Sequence, residues 1–555
     1  MMQNKKLVPI TLLAMSTYTG LLVAGEVQPQ PDAGRTLQEL SITPPALPKK
    51  SIEIDVKAPE IKEDIAGGIS VVVETITLSG NTVYSDEVLL GVIGDYAGKS
   101  YDLAAIKNLA NLITTYYRSH GYPFARAYIP AQSMTDGKVN IEVIEGRYNN
   151  STINSTDAKA QKGAQKFLDY LKTGDVIDSR KLERTILILS DQPGYKATPV
   201  VSPGEKVGTA DLDVSVVPDK KYGGDIGIDN YGNRYTGRLR GSVNLYVNSP
   251  FVFGDQLRVS TLYSEEDLWL GSVNYSLPVG GSGLRANFGY AHTSYDLGKE
   301  FAVLDATGTA QVASMGLSYP IIRSQTANLT IGANYQHKKL QDNQGVSDQR
   351  DSKYSNSLPI SLSFDLVDQL FGGGVTYGSV SWTHGDLNLD SSLSAVDRQS
   401  AKTEGTFDKY NFDIARLQAL PGNFSFLGRL SMQVASDNLD SSEKFGLGGI
   451  NGVRAYPSGE GFGDEGSLAR LELRYDINQF TPYAFYDIGT IKFNHNEFSN
   501  GDNRRTVAGS GLGLRFNTAS WTADTSLAWR NVGGNPLSDT KDYQPMFWAG
   551  ARYKF

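Results

Sequence analysis

A glycine-rich stretch around one arginine carries the clearest chemical signal in this sequence. Residues 449–466 hold Arg454, a Tyr456-Pro457 step, several glycines and three carboxylates, and they lie between two segments that alternate as strands. Glycine alone tolerates positive φ and close backbone contact, as a loop folded beneath its own strands requires. The pattern therefore predicts an inward-folded loop that delivers Arg454 to a buried carboxylate. A flexible, solvated loop is the alternative.

Catalytic and metal-binding chemistry has little support elsewhere in the chain. There are five histidines, no cysteine and no His-Glu-x-x-His spacing, so no zinc-protease motif or thiolate site is predicted. The acidic stretch 437–443 lacks the spacing of a known calcium loop. We interpret the adjacent Asp464 and Glu465 as loop solvation. We expect no catalytic residue, no metal, no cofactor and no enzymatic activity.

Length, charge and the first residues narrow the class of protein. At 555 residues the chain exceeds one ordinary core, so more than one domain is expected. A net charge of −8 argues against a nucleic-acid partner. Lys5 and Lys6 precede an apolar run that ends in small residues, so residues 1–24 are predicted to be a signal peptide, with a signal-anchor helix as the alternative. An exported chain without cysteine is typical of the periplasm or outer membrane of a Gram-negative cell.

Residues 25–70 are rich in proline and charge, which indicates a linker with one short helical exception. The stretch from Asp32 to Leu40 is predicted to form a helix of two to three turns with Asp32 at its start. A helix this short is unstable alone in water and must dock to matter. Disorder is the alternative for this segment.

Two modules of similar length follow, at residues 71–146 and 147–218. Each is predicted to run strand, helix, helix, strand, strand, and this repeated order indicates tandem α+β domains. Each module would expose a sheet edge, which is a usual site for adding an extended strand from a partner.

Residues 219–555 contain a train of segments that alternate apolar and polar side chains at period two. We count about sixteen such segments, an even number as outer-membrane barrels require. Connections near residues 278–281, 370–374, 420–423 and 478–481 are tight, whereas those near 294–306, 339–353, 385–404, 435–466 and 492–504 are long. The predicted fold is a membrane β-barrel of about 16 antiparallel strands that ends at an aromatic residue, Phe555.

The parts together resemble a known family. The two modules are similar to POTRA domains, and the whole chain resembles outer-membrane transporters of two-partner secretion, the TpsB family that includes haemolysin and filamentous-haemagglutinin transporters. The stretches that carry the resemblance are Asp32-Ala33-Gly34, His120-Gly121-Tyr122, Tyr128 to Gln132, Asp136-Gly137, Ile144-Glu145-Gly146, Leu182-Glu183-Arg184, Pro193-Gly194, Gly208 to Leu212, Asp229 to Gly232 and Val453-Arg454-Ala455-Tyr456. The family more often has glycine where this chain has Ala455.

The resemblance implies a lock between the inner loop and the barrel wall. In this family the loop after the eleventh strand enters the lumen, and its arginine pairs with an aspartate in a Phe-x-Asp-x-Gly stretch, here Phe485 to Gly489 with Asp487 at its centre. Strand alternation independently turns Phe485, Asp487 and Gly489 inward. The residues expected to form the lock are Arg454, Asp487, Tyr456, Gly452, Phe485 and Gly489. We expect Gly509, Gly511 and Gly513 to leave room for the loop, with sheet curvature as the alternative explanation for these glycines.

The resemblance also implies a function and partners. A large exoprotein, adhesin-like or cytolysin-like, would present an N-terminal secretion domain to the POTRA domains in the periplasm and cross the outer membrane without nucleotide. The short helix would sit in the pore. The expected plug and pore residues are Asp32, Leu37, Leu40, Arg285, Arg470, Arg474 and Arg515. Outer-membrane lipid and, during biogenesis, the barrel-assembly machinery are further expected partners. A barrel-assembly insertase of the same superfamily and a passive porin are the alternatives.

Overall fold

The computed structural model describes residues 31–41 and 70–555. The predicted signal peptide and most of the predicted linker lie outside the described residues. The short N-terminal segment is a helix, α1 (Ala33–Ser41), as expected. Asp32 begins it, because its side chain accepts a hydrogen bond from the Arg35 amide at 2.8 Å.

The first module has the expected α+β order. Its elements are β1 (Val71–Val73), β2 (Thr75–Ser79), α2 (Asp86–Ile93), β3 (Lys99–Tyr101), α3 (Leu103–Ser119), β4 (Arg126–Tyr128) and β5 (Lys138–Ile144). The main sheet has the order β2-β5-β4, in which β2 is parallel to β5. Asp102 caps α3 by accepting from the Ala105 amide, and the helix buries Ile106 and Ile113 against the sheet.

The second module repeats this plan. Its elements are β6 (Arg147–Asn154), α4 (Ala158–Leu168), α5 (Ser179–Ser190), β7 (Tyr195–Pro203) and β8 (Thr209–Pro218). The sheet order is β6-β8-β7, so β7 is an edge strand. Aspartates cap both helices, since Asp157 accepts from the Lys159 amide and Asp178 from the Arg180 amide.

The rest of the chain forms a closed antiparallel barrel of 16 strands. In chain order the strands are β9 (Tyr222–Asp229), β10 (Arg240–Asn248), β11 (Gln256–Ser264), β12 (Trp269–Pro278), β13 (Arg285–Asp296), β14 (Ala306–Arg323), β15 (Ala327–Gln344), β16 (Gln349–Asp368), β17 (Gly374–Leu389), β18 (Gly405–Ala419), β19 (Phe424–Ala435), the short pair β20 (Phe445–Gly446) and β21 (Phe462–Gly463), then β22 (Glu465–Tyr475), β23 (Phe480–Lys492), β24 (Arg504–Asn517), β25 (Trp521–Val532) and β26 (Met546–Lys554). The pair β20-β21 lies outside the barrel sheet, which closes where β26 meets β9.

The barrel has two different ends. At the end that carries the modules, called the POTRA end, most connections are tight, such as residues 324–326 and 518–520. At the opposite, distal end they are longer and include α6 (Ser391–Asp397). The expected long loop at 339–353 is wrong, because β15 and β16 stay paired up to Gln344 and Gln349. Polar side chains continue that hairpin beyond the apolar part of the wall.

The second module is docked firmly on the POTRA end. The connection between β10 and β11 inserts Phe253, which is 5% exposed, into the hydrophobic core of the module. Arg323 at the end of β14 forms two hydrogen bonds of 2.9 Å with the Asp191 carboxylate. No helix within residues 31–41 and 70–555 is long and apolar enough to cross a membrane.

Candidate functional site

The segment between β19 and β22, residues 436–464, folds back inside the barrel, and we call it the inner loop. Its Arg454 is 1% exposed. The guanidinium donates to both oxygens of Asp487 on β23 at 2.7 Å, through Nε and Nη2. Its Nη1 donates to Glu472 on β22, also at 2.7 Å. The expected pairing of Arg454 with Asp487 is therefore present as a bidentate bond, which is among the strongest hydrogen-bond geometries in proteins.

Glu472 is the partner that sequence reasoning missed. It is 3% exposed and also accepts hydrogen bonds from Arg474 at 2.6 Å and Arg515 at 3.1 Å. The available signal was its place in the strand, since a carboxylate at the inward position of Leu471-Glu472-Leu473 must find buried cations.

Three of the arginines expected at the pore, Arg470, Arg474 and Arg515, belong to this charged cluster. Arg470 Nε lies 3.6 Å from Asp487, and Arg515 also pairs with Asp524 at 2.9 Å. With Arg454 and Arg474 they form a group of four arginines around Glu472, Asp487 and Asp524. Their charges are therefore used to hold the wall and the loop together.

Aromatic rings support the guanidinium from below. The Phe485 ring centroid lies 3.6 Å from Cζ of Arg454, a close cation–π contact. The three glycines Gly509, Gly511 and Gly513, which we call the glycine track, make two kinds of contact. A Cβ on Gly511 would lie 2.3 Å from the Phe485 ring, and one on Gly513 would lie 2.2 Å from the Tyr483 ring. Gly511 and Gly513 therefore leave space for the two rings, and the rings in turn contact the guanidinium of the loop.

Gly509 is the glycine of the track that meets the loop itself. A Cβ there would lie 2.2 Å from the Ala455 Cβ. Ala455 is 2% exposed, so packing beyond Arg454 is tight although the residue is alanine and not glycine. The absence of a side chain at Gly509, on the barrel wall, leaves the space that Ala455 occupies.

Close backbone contacts explain the remaining predicted glycines of the lock. A Cβ on Gly452 would lie 2.2 Å from the Leu447 carbonyl oxygen, and one on Gly489 would lie 2.7 Å from Leu447 Cδ1. A side chain at Gly452 would therefore force two parts of the inner loop apart, whereas one at Gly489 would push the loop away from β23. Tyr456, fully buried, donates from its hydroxyl to the Val532 carbonyl at 2.7 Å.

Two contacts on the far side of the loop were not predicted from the sequence. Trp548 on β26 donates from Nε1 to the Arg454 carbonyl at 2.7 Å. Glu460 is fully buried and accepts from the Ser538 hydroxyl at 2.7 Å and from Arg505. The inner loop is therefore attached to the wall on both sides of the arginine.

The interpretation of Asp464 and Glu465 as loop solvation is wrong. Asp464 is fully buried and accepts from Lys444 Nζ at 2.5 Å and the Leu439 amide at 3.0 Å. Glu465 lies 2.5 Å from the His495 ring. These carboxylates hold the base of the loop, because their lone pairs find donors only when the loop is folded inward.

The acidic stretch 437–443 is likewise used for ion pairs. Asp440 accepts from Lys353 at 2.6 Å, while Glu443 accepts from Lys338 at 2.5 Å and pairs with Lys409 at 2.7 Å. Within the part of the chain that the structure describes, no cluster of histidines and carboxylates has the geometry to hold a metal ion.

Helix α1 lies inside the barrel against the inner loop and the β14–β15 wall. Asp32 accepts from Ser441 at 2.6 Å and from Lys353 at 3.1 Å. Leu37 is 7% exposed and packs in an apolar cluster with Leu268 and Leu340, and Leu40 packs at the edge of that cluster.

Another side of α1 touches the end of the inner loop. Arg35 lies over the Phe462 ring with 5.2 Å from Cζ to the centroid. Glu39 accepts from Asn233 at 2.7 Å. The helix therefore contacts both ends of the loop, near Ser441 and near Phe462, and the two inserted segments form one unit.

Arg285 lies away from this unit, at the rim of the POTRA end. Its Nη1 donates to Gln192 of the second module at 2.9 Å and its Nη2 to the Gly254 carbonyl at 3.0 Å. It faces inward as expected, but its hydrogen bonds join the module to the barrel and are not directed at α1 or the inner loop.

Comparison with known proteins links these features to one family. Residues 208–516 match the family described as haemolysin secretion/activation protein ShlB/FhaC/HecB, and residues 71–146 match the ShlB-type POTRA domain. The chain is 28% identical to the heme/hemopexin transporter protein HuxB of Haemophilus influenzae (strain 86-028NP), over 93% of this chain and 95% of that protein. It is 22% identical to the outer membrane transporter CdiB of Dickeya dadantii, over 76% of each chain.

A solved structure shares the fold over almost the whole length. CdiB from Escherichia coli superposes with a TM-score of 0.73 at 19% identity and covers 94% of this chain and 95% of its own. The profile match at 208–516 spans more than half of the 555 residues. With its POTRA domains, its 16-stranded barrel and its filled lumen, the chain belongs to the haemolysin secretion/activation (ShlB/FhaC/HecB) family of two-partner secretion transporters of the outer membrane.

Proposed function

We propose that this chain recognises a large secreted partner protein in the periplasm and passes it through the barrel to the cell surface. The observation that carries the proposal is a lumen filled by the chain's own α1 and inner loop, held by ion pairs that can be exchanged. A passive porin has no use for such a filling or for two docked modules. The similarity to proteins named as heme/hemopexin transporter and outer membrane transporter supports a transport role, and we propose an adhesin-like or cytolysin-like exoprotein as the client.

Recognition is proposed to use the free edge of β7. An extended client segment would add to this edge through main-chain hydrogen bonds, with side chains giving modest selectivity. Val200 on β7 is 56% exposed and would contact such a strand. The other edge of the sheet, β6, continues directly into the junction with the first module.

A cleft leads from β7 towards the lumen. It has a volume of about 510 Å³ between the second module and the barrel. Tyr195 and Lys196 at the start of β7 line one side, and Ser318 and Thr330 from the inner wall line the other. This continuity supports a path for an unfolded segment from the modules into the barrel.

Transport is proposed to need no nucleotide and no catalysis. We infer that folding of the client outside the cell removes extended chain from the equilibrium and thereby draws more chain through. In this arrangement the POTRA domains are periplasmic and the distal loops face the medium.

The test is co-purification and secretion of a partner exoprotein encoded beside this chain. We expect Val200→Asp to reduce both, because a charge opposes an apolar strand on the β7 edge. The matched control is Val207→Asp, at a residue that is 91% exposed in the turn after β7. Equal behaviour of the two variants would contradict the β7 site. If depletion of this protein left secretion of the exoprotein intact but reduced the amount of other outer-membrane barrels, the insertase alternative would be favoured instead.

A further inference from the structure

Four of the five histidines of the chain occur in one repeated pattern, an aromatic residue, any residue, then histidine, and three of these four lie on strands of the barrel. The pairs are Tyr290 and His292 on β13, Tyr335 and His337 on β15, and Trp382 and His384 on β17. These are alternate strands that all run from the POTRA end to the distal end.

All three histidines point away from the lumen. On β15 the inward positions are fixed by Lys338, which pairs with Glu443 of the inner loop, and by Leu340, which is fully buried inside. Because side chains alternate along a strand, His337 faces outward. The aromatic residues of the pattern are 50%, 45% and 41% exposed. Such exposure is expected of side chains that face lipid in a barrel.

The histidines follow one line around the barrel. Following the paired residues across the sheet from His292, through β14, leads to Lys339 on β15, which is two residues beyond His337. Following them from His337, through β16, leads to Asp386 on β17, again two residues beyond His384. Strands of a barrel are tilted, so residues at one level of the membrane are offset in register by a constant step.

That line is the distal edge of the apolar band. Outward residues of β15 on the POTRA side of His337 are Leu329, Ile331, Ala333 and Tyr335, and those on its distal side are Lys339, Gln341 and Asn343. On β17 the outward sequence passes from Val380 through Trp382 to Asp386 and Asn388. Aromatic girdles mark this boundary in outer-membrane barrels, where lipid headgroups begin.

The imidazole rings are held in fixed orientations. His337 Nδ1 lies 2.8 Å from the Asn356 side-chain oxygen, and His384 Nδ1 lies 3.1 Å from the Asp408 carboxylate. His292 packs beside the Trp269 ring, with centroids 5.7 Å apart. With an acceptor at Nδ1, the Nε2 atom is on the opposite side of the ring.

The charged groups near this line are Lys339, Asp386 and Asp408. Lys339 lies over the Tyr354 ring, 5.9 Å from its centroid. Both ring nitrogens of histidine donate only when the ring is protonated.

We propose that His292, His337, His384 and Lys339, the histidine band, bind phosphate groups of lipids in the distal leaflet of the membrane. Imidazolium and ammonium groups donate charge-assisted hydrogen bonds to phosphate oxygens, and the neighbouring aromatic rings sit at the depth where headgroups meet acyl chains. The assignment of this leaflet to the cell surface rests on the orientation proposed above. The binding itself depends only on the barrel.

The test measures lipid retained by the purified full chain in detergent, by native mass spectrometry. The probe is lipid A, a phosphorylated glycolipid, compared with its dephosphorylated form. The variant His292→Phe/His337→Phe/His384→Phe keeps aromatic rings and removes the donors. We expect it to retain roughly tenfold less lipid A, because the phosphate oxygens lose the hydrogen-bond donors of the imidazole rings.

The matched control is His120→Phe, in the first module and outside the barrel, which should retain lipid A like the wild type. Equal retention by the triple variant, or equal loss of the dephosphorylated lipid, would overturn the proposal. Heat-modifiable migration in gels verifies folding, and if the triple variant does not fold, the single variant His337→Phe is measured instead. Exoprotein secretion by the same variants in cells reports separately on the proposed function, and we expect it to be unchanged.

Discussion

At the scale of single residues, buried charges decide the state of this transporter. Removing one partner of a buried, hydrogen-bonded pair leaves an uncompensated charge, which costs about 3–5 kcal/mol. Arg454 is bound by two carboxylates, whereas Glu145 at the junction of the modules is bound by several donors. Arg454 therefore holds the arrangement of the inner loop in the lumen, and Glu145 holds the arrangement of the two POTRA modules.

Exchanging the charges of Arg454 and Asp487 is expected to restore secretion only in part. Each single change, Arg454→Asp or Asp487→Arg, should abolish it, because like charges then meet in a buried site. In the double variant the introduced aspartate would still face Glu472, so adding Glu472→Gln should improve the rescue. Exoprotein in the medium is the readout. Arg350→Asp, at a side chain that is 80% exposed, serves as the control. No rescue in either combination would show that the pair does not act through its charge.

Glu145 gives a prediction for pH. Burial raises the pKa of Glu145, but hydrogen bonds from Thr82 and Val83 outweigh this and hold the pKa below the ordinary value of 4.5. A lowered carboxylate pKa stabilises the folded state above pH 4.5, and that stabilisation is lost as the pH falls through the lowered value. We expect the first module to unfold more readily in acid.

The variant Glu145→Gln should lose on the order of 3 kcal/mol at neutral pH, because one amide oxygen cannot serve all the donors. Calorimetry of the full chain in detergent, from neutral pH to below the lowered pKa, measures both effects. The control Glu87→Gln changes an exposed carboxylate on α2. A module whose stability is independent of pH would contradict this role for Glu145.

At the scale of elements, α1 is the proposed plug of the pore, and we expect its docking to matter more than its helicity. Alanine favours an isolated helix over glycine by about 1 kcal/mol. A Cβ on Gly34, however, would lie 2.7 Å from the Ser442 backbone nitrogen and 2.1 Å from the Ser441 hydroxyl. For Gly34→Ala, helix propensity therefore predicts a more stable α1, whereas the contacts with Ser441 and Ser442 predict weaker docking.

We expect Gly34→Ala to raise single-channel conductance in planar bilayers, as removal of residues 32–41 should, because the plug leaves its seat. Gln38→Ala raises helix propensity at a half-buried position and should leave conductance unchanged. Wild-type conductance in both Gly34→Ala and the deletion would mean that α1 does not obstruct the pore.

At the scale of the whole molecule, closure of the barrel depends on a short seam. The ladder between β26 and β9 contains five register pairs, from Gly550 to Lys554. Asn230 extends it with its side chain, which accepts from the Ala549 amide at 2.8 Å and donates to the Phe547 carbonyl at 3.0 Å. From inside, the inner loop bonds Trp548 on one side of the seam and the Tyr231 carbonyl on the other.

Asn230→Ala should therefore lower the temperature at which the barrel unfolds, with a loss on the order of 2 kcal/mol for two backbone groups that lose their side-chain partner. Heat-modifiable migration in gels measures the change. Asn287→Ala, on the inner wall away from the seam, should have a smaller effect. Equal unfolding temperatures would show that the backbone ladder alone closes the barrel.

The sequence by itself determined the architecture, because side-chain periodicity is local. Alternation at period two predicted sixteen strands, and the repeated order of elements predicted the two modules. The family resemblance added the pairing of Arg454 with Asp487. Only the tertiary structure decided how the buried charges are shared. Lys353 and Glu460 lie far in sequence from the groups they bind, and Glu472 meets Arg454 only because the loop folds inward. Whether Asp464 is solvated or buried likewise depends on a loop path that no local pattern encodes.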